Sequence, residues 1–188
     1  YDTATTTNYT NGFMTRLIGS PNLQPYSTAA EANYLAPKFD YSTQVAQQAE
    51  NAGSQIYWSF QRAPGFFDVV CYTGTGVAKT NNHNLGVVPE LMIVKRRDGT
   101  SYGDWLVYHS ALGNTKYLLL NTTQASTVAN SGAWNYTDPT ITQFTVGDWE
   151  SLSSTATYVA YLFATCAGVS KVGSYTGNCL LYTSDAAD

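Results

Sequence analysis

One stretch of this sequence occurs twice. Gly65–Gly76 reads GFFDVVCYTGTG, and Gly168–Asn178 reads GVSKVGSYTGN. Tyr72 and Tyr175 set the offset at 103 residues, and the match runs without a gap from Trp58–Gly74 onto Tyr161–Gly177. Phe60/Phe163, Gly65/Gly168, Val69/Val172, Tyr72/Tyr175, Thr73/Thr176 and Gly74/Gly177 are identical pairs. Ordinary composition gives roughly one identity in a window that short. A repeat at fixed spacing means that each copy is one unit of a common design. The sequence therefore reads as tandem modules truncated at both ends. Residues 1–64 are the C-terminal part of a preceding module with an insertion, 65–167 are a complete module, and 168–178 are the first strand of the next.

The ten residues Cys179–Asp188, CLLYTSDAAD, lie beyond the repeat. They resemble the translation of a transposon-type sequencing adapter. The expectation is an adapter-derived artefact at the end of a metagenomic fragment.

The composition of each unit points to β-structure. Charged residues are 12% of the chain, about half the usual share, and Thr, Ser, Asn, Gly and Tyr replace them. Thr and Tyr fit a pleated, half-buried surface, whereas a helical bundle wants Glu, Lys, Leu and Ala. Short runs follow one another with turn chemistry between them. They are Phe66–Thr73, Ala78–Leu85, Glu90–Arg96, Asp104–His109, Lys116–Asn121, Thr142–Val146 and Thr157–Ala164. Spacings of about ten residues with Gly, Asn and Asp at the breaks predict an all-β fold, an antiparallel β-sandwich. Alternation predicts one buried and one solvated face, and the LMIV and YLLL runs predict central strands. Upstream of Pro64 only a short strand at Phe13–Ile18, one helix within Ser27–Tyr34 or Ser42–Asn51, and an aromatic strand at Gln55–Gln61 are legible.

Charge and motif content exclude several functions. The net charge is −4, and no basic cluster exceeds Lys95-Arg96-Arg97, so nucleic acid is not an expected partner. No apolar run reaches the ~18 residues of a membrane span, so no membrane insertion is expected. The three cysteines lack CxxC or Cys/His metal spacing and read as free thiols, with no metal and no cofactor implied. His109-Ser110 is not a nucleophile motif, because no GxSxG occurs. Asp68, Glu90, Asp98, Asp104, Asp138, Asp148 and Glu150 could include a glycosidase pair, but most sit at turns, where Asp is favoured for its own reasons. Asp68 is also Lys171 in the second copy, which speaks against catalysis. The domain is therefore read as a non-enzyme.

Aromatic residues in loops are the better binding candidates. Trp134, Tyr136 and Trp149 could stack on sugar faces, a large contact at low entropic cost. Structural alternatives stand beside them: Trp134 packs under its loop, and Trp105, which like Trp149 follows Gly-Asp, is a core strand residue.

The segment His83–Arg97, HNLGVVPELMIVKRR, carries a resemblance. The order His-Asn-Leu-Gly, two residues, Pro, apolar strand, Lys-Arg resembles repeated β-domains of tail-fibre-like and virion-associated proteins of tailed bacteriophages from marine metagenomes. Gly103–His109, Thr157–Ala164 and Ser174–Gly177 match the same style. The resemblance covers roughly Tyr57–Asn178 and implies a concanavalin- or jelly-roll-like domain in a long virion protein. It implies a structural or adhesion module, with other virion or tail proteins and host-surface polysaccharide as partners, and trimers in the fibre context. The alternatives are a carbohydrate-binding module of a secreted bacterial protein and, further off, a glycan depolymerase. Within the motif itself, physics accounts for each residue. Gly86 can take φ > 0 before the strand, Pro89 is tolerated at a strand's start, Asn84 can bond its own backbone, and His83 can hydrogen-bond the loop closed, with Leu85 completing the structural motif.

Overall fold

Thr157–Phe163 is apolar on both sides of its pleat, and the molecule is built around it. A computed structural model describes residues 13, 17, 23–32, 60–99, 101–128 and 132–175. Among them are β1 (Phe67–Thr73), β2 (Lys79–Asn82), β3 (Leu91–Arg96), β4 (Trp105–His109), β5 (Lys116–Leu119), β6 (Thr127–Val128), β7 (Gln143–Val146), one helical turn α1 (Glu150–Ser153), and β8 (Thr157–Phe163). The larger sheet has six strands in the order β1-β8-β3-β4-β5-β6, and β2 pairs with β7 in a second, two-stranded sheet. Among the described residues every strand pairing is antiparallel. The fold is an all-β antiparallel sandwich, as the spacing of turns and apolar runs predicts.

Register sorts the side chains of the larger sheet onto two faces. The inner face carries Tyr72 and Tyr158, then Val70, Ala160, Val94, Leu106 and Leu119, then Leu162, Met92 and Tyr108. It is covered by Phe144 and Val146 of β7, Leu85, Ala133, Trp134 and Leu152 in one buried cluster. The Tyr72 and Tyr158 rings stack at 5.1 Å, and Trp134 meets Tyr108 edge-on at 5.7 Å. Aromatic pairs in such geometries add about 0.5–1.5 kcal/mol each beyond their area.

Three cross-strand rows of the outer face run across all of β1, β8, β3 and β4. They are Cys71, Val159, Lys95 and Trp105; Val69, Tyr161, Ile93 and Val107; and Phe67, Phe163, Leu91 and His109. Alternation predicted this face as solvated, and here the structure differs. Phe13 and Leu23 lie on it, in a second buried cluster with Trp105, Val159 and Tyr161. The segment 23–31 binds through its backbone. Trp105 Nε1–H donates to the carbonyls of Gln24 (2.9 Å) and Ser27 (3.2 Å). Lys95 Nζ donates to those of Thr28 (3.2 Å) and Gly103 (2.6 Å). Arg97 makes a two-point contact with Glu31. The approach is close enough that a Cβ on Gly103 would stand 2.0 Å from the Thr28 oxygen. The packed body thus reaches back to Phe13, upstream of the repeat boundary at Gly65.

Other expectations shift for similar reasons. The LMIV run is central, as β3, but the YLLL run falls on β5, next to the edge, with Tyr117–Leu119 half-buried and Leu120 exposed. Among the described residues, Gly168–Tyr175 holds no ladder strand; it makes one isolated bridge, Cys166 to Ser170. β8 already has β1 on one side and β3 on the other, so the chain leaving it finds no open edge there. Of the two stretches offered for a helix, the described residues 27–32 are not helical, and Ser42–Asn51, with most of the strand at Gln55–Gln61 and the whole of Cys179–Asp188, lies outside the described residues.

Candidate functional site

The two copies of the repeated joint fold alike and lie at one end of the sheet. Ala63 bridges Phe67 and Cys166 bridges Ser170, both antiparallel. Gly65 (φ +75°) and Gly168 (φ +74°) sit inside the two turns, in the left-handed region that glycine enters at little cost. Each of these residues is 103 positions from its counterpart. The two joints are also tied together, because Ala164 N–H donates to the Phe66 carbonyl at 3.1 Å.

The His-Asn-Leu-Gly loop closes over the upstream joint. His83 is 4% exposed. Its Nδ1 accepts from the Leu85 N–H (3.2 Å), which leaves Nε2–H to donate to the Thr140 carbonyl (3.1 Å). Burial lowers its pKa below the ordinary histidine value, consistent with a neutral ring. Leu85 fills the inner core, its carbonyl accepts from Gly65 N–H, and Gly86 takes φ +75° as the turn requires. Pro89 is buried two residues before β3. The side chain of Asn84 is exposed; its backbone N–H donates to Asp68 at 2.7 Å instead. Asp68, 2% exposed, also accepts from Val69 N–H (2.8 Å) and pairs with Arg62 at 2.5 Å. The motif is a clasp, holding the edge of the small sheet against the joint.

Four of the other candidate carboxylates are likewise spent on loop closure. Glu90 accepts from the Thr165 N–H and hydroxyl, and Asp98 from those of Thr157 and from Arg96. Asp104 accepts from Asn121, and Asp138 from Asn114. Among the described residues no group of His, Cys, Asp and Glu could hold a metal ion. No described helix is long and apolar enough to cross a membrane. Cys71 and Cys166 are free thiols.

The aromatic candidates do not converge. Trp134 is 1% exposed, with Nε1–H donating to the Lys116 carbonyl at 3.0 Å. A sugar needs an open ring face, so Trp134 is withdrawn as a stacking residue. Trp149 is half-buried against Tyr117 at 4.8 Å, and its ring lies over Gly132, where a Cβ would stand 1.6 Å from Nε1. Tyr136 is 57% exposed, in a turn where both it and Asn135 take φ +49°. Such angles are uncommon outside glycine and are held by the fold around them.

Sequence reasoning missed a different aromatic group. Phe60, Phe66, Phe67 and Phe163 cluster beside the joints, with Phe60 5.7 Å from Phe67 and 6.1 Å from Phe163. Next to them the outermost row opens into a depression of about 280 Å³, lined by Leu91, His109, Phe163, Ala164 and the wall Ser170–Gly173. The signal was present, since Phe60 and Phe163 are an identical pair in the repeat. The identity marks their equivalence, and only the coordinates show that the two rings touch.

The family profile described as a domain of unknown function, DUF7483, matches residues 10–183. No curated protein and no solved structure matches the chain. The chain belongs to the DUF7483 family.

Proposed function

We propose that this member of the DUF7483 family is a structural and adhesion module of a tailed-phage, tail-fibre-like virion protein, outside the cell once assembled. The matched joints are the observation that supports this most. A module whose incoming and outgoing turns share a left-handed glycine and the same bridge can be strung in series without redesign. The phage setting rests on the resemblance of His83–Arg97 and its companion segments. Within the adhesion role we assign contact with host-surface polysaccharide to Tyr136, and its exposure of more than half on a constrained turn supports that choice.

The clasp and the capped carboxylates fit a module selected for shape. Their polar groups hold loops in place instead of pointing into a shared cavity. An antibody raised against the domain tests the reading on particles from the source sample. Gold labelling along phage tails supports it. Label confined to bacterial cells or their secreted fraction would favour the carbohydrate-binding module of a bacterial protein.

A further inference from the structure

We propose that the depression beside Phe163 is the docking site for the next copy of this module, and that its occupant is the closing-strand phenylalanine of that copy. The inference rests on the tandem reading above and adds a specific contact to it. Phe60 and Phe163 hold equivalent positions, 103 residues apart. Phe60, placed at the end of the preceding copy, packs against three rings of the copy that follows: Phe66, Phe67 and Phe163. That is an interface between consecutive repeats already present in the chain.

Shifting it by one repeat gives the expected surroundings of Phe163. Phe66 becomes Val169, Phe67 becomes Ser170, and Phe163 becomes its own counterpart one copy further on. The second of these is in place, because Ser170 lines the depression together with Phe163. The third is the group that fills the space. The lining suits an aromatic ring. Leu91, Phe163 and Ala164 form an apolar wall, and Ser170, Lys171, Val172 and Gly173 close one side. Along the row Phe67, Phe163, Leu91 and His109, Phe60 packs on the Phe67–Phe163 half, while the other half faces the depression. The result is a ladder in which each closing phenylalanine rests on the next, so successive copies stack at a set angle.

The test lengthens the full chain by one repeat. A further copy of residues 76–178 is appended after Asn178, which preserves the 103-residue offset. Hydrogen exchange at the Ser170 and Val172 amides is compared with the parent chain, alongside denaturant unfolding. Docking predicts at least tenfold slower exchange at both amides and one unfolding transition for the two copies together. Replacing the appended copy's closing phenylalanine with Ser should restore parental exchange at both amides while far-UV dichroism shows the copy still folded. Because that substitution could unfold the appended copy, His109→Glu at the rim of the depression is the second variant, with the same expected loss of protection. An appended copy that folds but leaves the two amides unprotected and unfolds separately overturns docking and leaves the tandem reading standing. A copy that does not fold overturns docking and counts against the module boundaries too.

Discussion

The two faces of the six-stranded sheet are covered in different ways. The inner face meets side chains from β7, the Trp134 loop and α1. The donors of Tyr72, Tyr158 and Trp134 are satisfied there, whereas Asn81 Nδ2 on β2, opposite Phe144, is buried without a partner. Tyr72 Oη donates to the Leu152 carbonyl at 2.9 Å, Tyr158 Oη to that of Glu150 at 2.7 Å, and Trp134 to that of Lys116. The outer face is covered by a strap that grips Trp105 and Lys95 through backbone carbonyls. It leaves the Tyr161 hydroxyl buried with no hydrogen-bond partner and Cys71 exposed on the edge strand β1. One face is a packed core; the other is a cover laid over a sheet already apolar on that side. The contrast teaches that β8 is buried on its two faces by unlike means. The energetic weight should lie with the inner one.

The sharpest way to break that comparison is Trp134→Ala. The ring is among the largest fully buried side chains and touches Tyr108. Truncating a buried Trp costs about 3–5 kcal/mol, a large share of the stability of any domain. The expected outcome is loss of most of the folded population in a urea titration followed by far-UV dichroism. A loss below about 1 kcal/mol would mean that the inner face does not carry the fold.

Much of the inner face was legible in the sequence and much of the outer face was not. Strands are marked by alternation and by Gly, Asp and Asn at their ends, so β1, β3, β4, β7 and β8 fall within one or two residues of their expected bounds. The His83 clasp was also legible, because Gly86 and Pro89 have backbone requirements that do not depend on distant partners. The strap was not. Leu23 and Phe13 stand in a stretch without an apolar period, and the strap holds Trp105 and Lys95 by main-chain carbonyls, which every residue possesses. Lys95 itself reads as one of three basic surface residues, yet it is fully buried while Arg96 and Arg97 pair with Asp98 and Glu31. Trp134 failed as a binding candidate for the converse reason. A loop position says that the backbone lacks a ladder, and nothing about where the side chain points.

Lys95 gives the comparison a pH dependence. Burial lowers its pKa from 10.5 to about 8, against the pull of Asp104 and with the help of Arg96. Below pH 8 both folded and unfolded chains carry the ammonium, and the folded state bears the full cost of burying it. Between pH 8 and 10.5 the folded amine is neutral while the unfolded one is still charged, so the cost falls as pH rises. Stability should therefore increase across that window, by up to about 3 kcal/mol. The tyrosines oppose it from about pH 10 upward. Tyr72 and Tyr161 are held above the ordinary tyrosine value by burial, so the unfolded chain ionises first and gains. The expected curve rises from pH 8 to about 10 and then turns down. Lys95→Met should flatten the rising limb and keep the fall. A wild-type curve already flat between pH 8 and 10 would place the ammonium in water and the strap off the sheet.

A pair of hydroxyl deletions on one strand gives the smallest and cleanest contrast. Tyr158 and Tyr161 both belong to β8 and both are buried, but they face opposite sides of the sheet. The Tyr158 hydroxyl bonds the Glu150 carbonyl and Ser154 Oγ, each at 2.7 Å. Removing it strands a carbonyl and a hydroxyl, so Tyr158→Phe should cost about 1–3 kcal/mol. The Tyr161 hydroxyl has no partner to strand, and its desolvation is already a cost to the folded state. Tyr161→Phe should be neutral or should stabilise by up to about 1 kcal/mol, with the stack of its ring on Trp105 at 6.4 Å retained. Paired urea titrations read the difference directly. Equal losses in the two variants would show that the outer cover satisfies its polar groups as fully as the inner core does, and the asymmetry between the faces would then reduce to the chemistry of the strap alone.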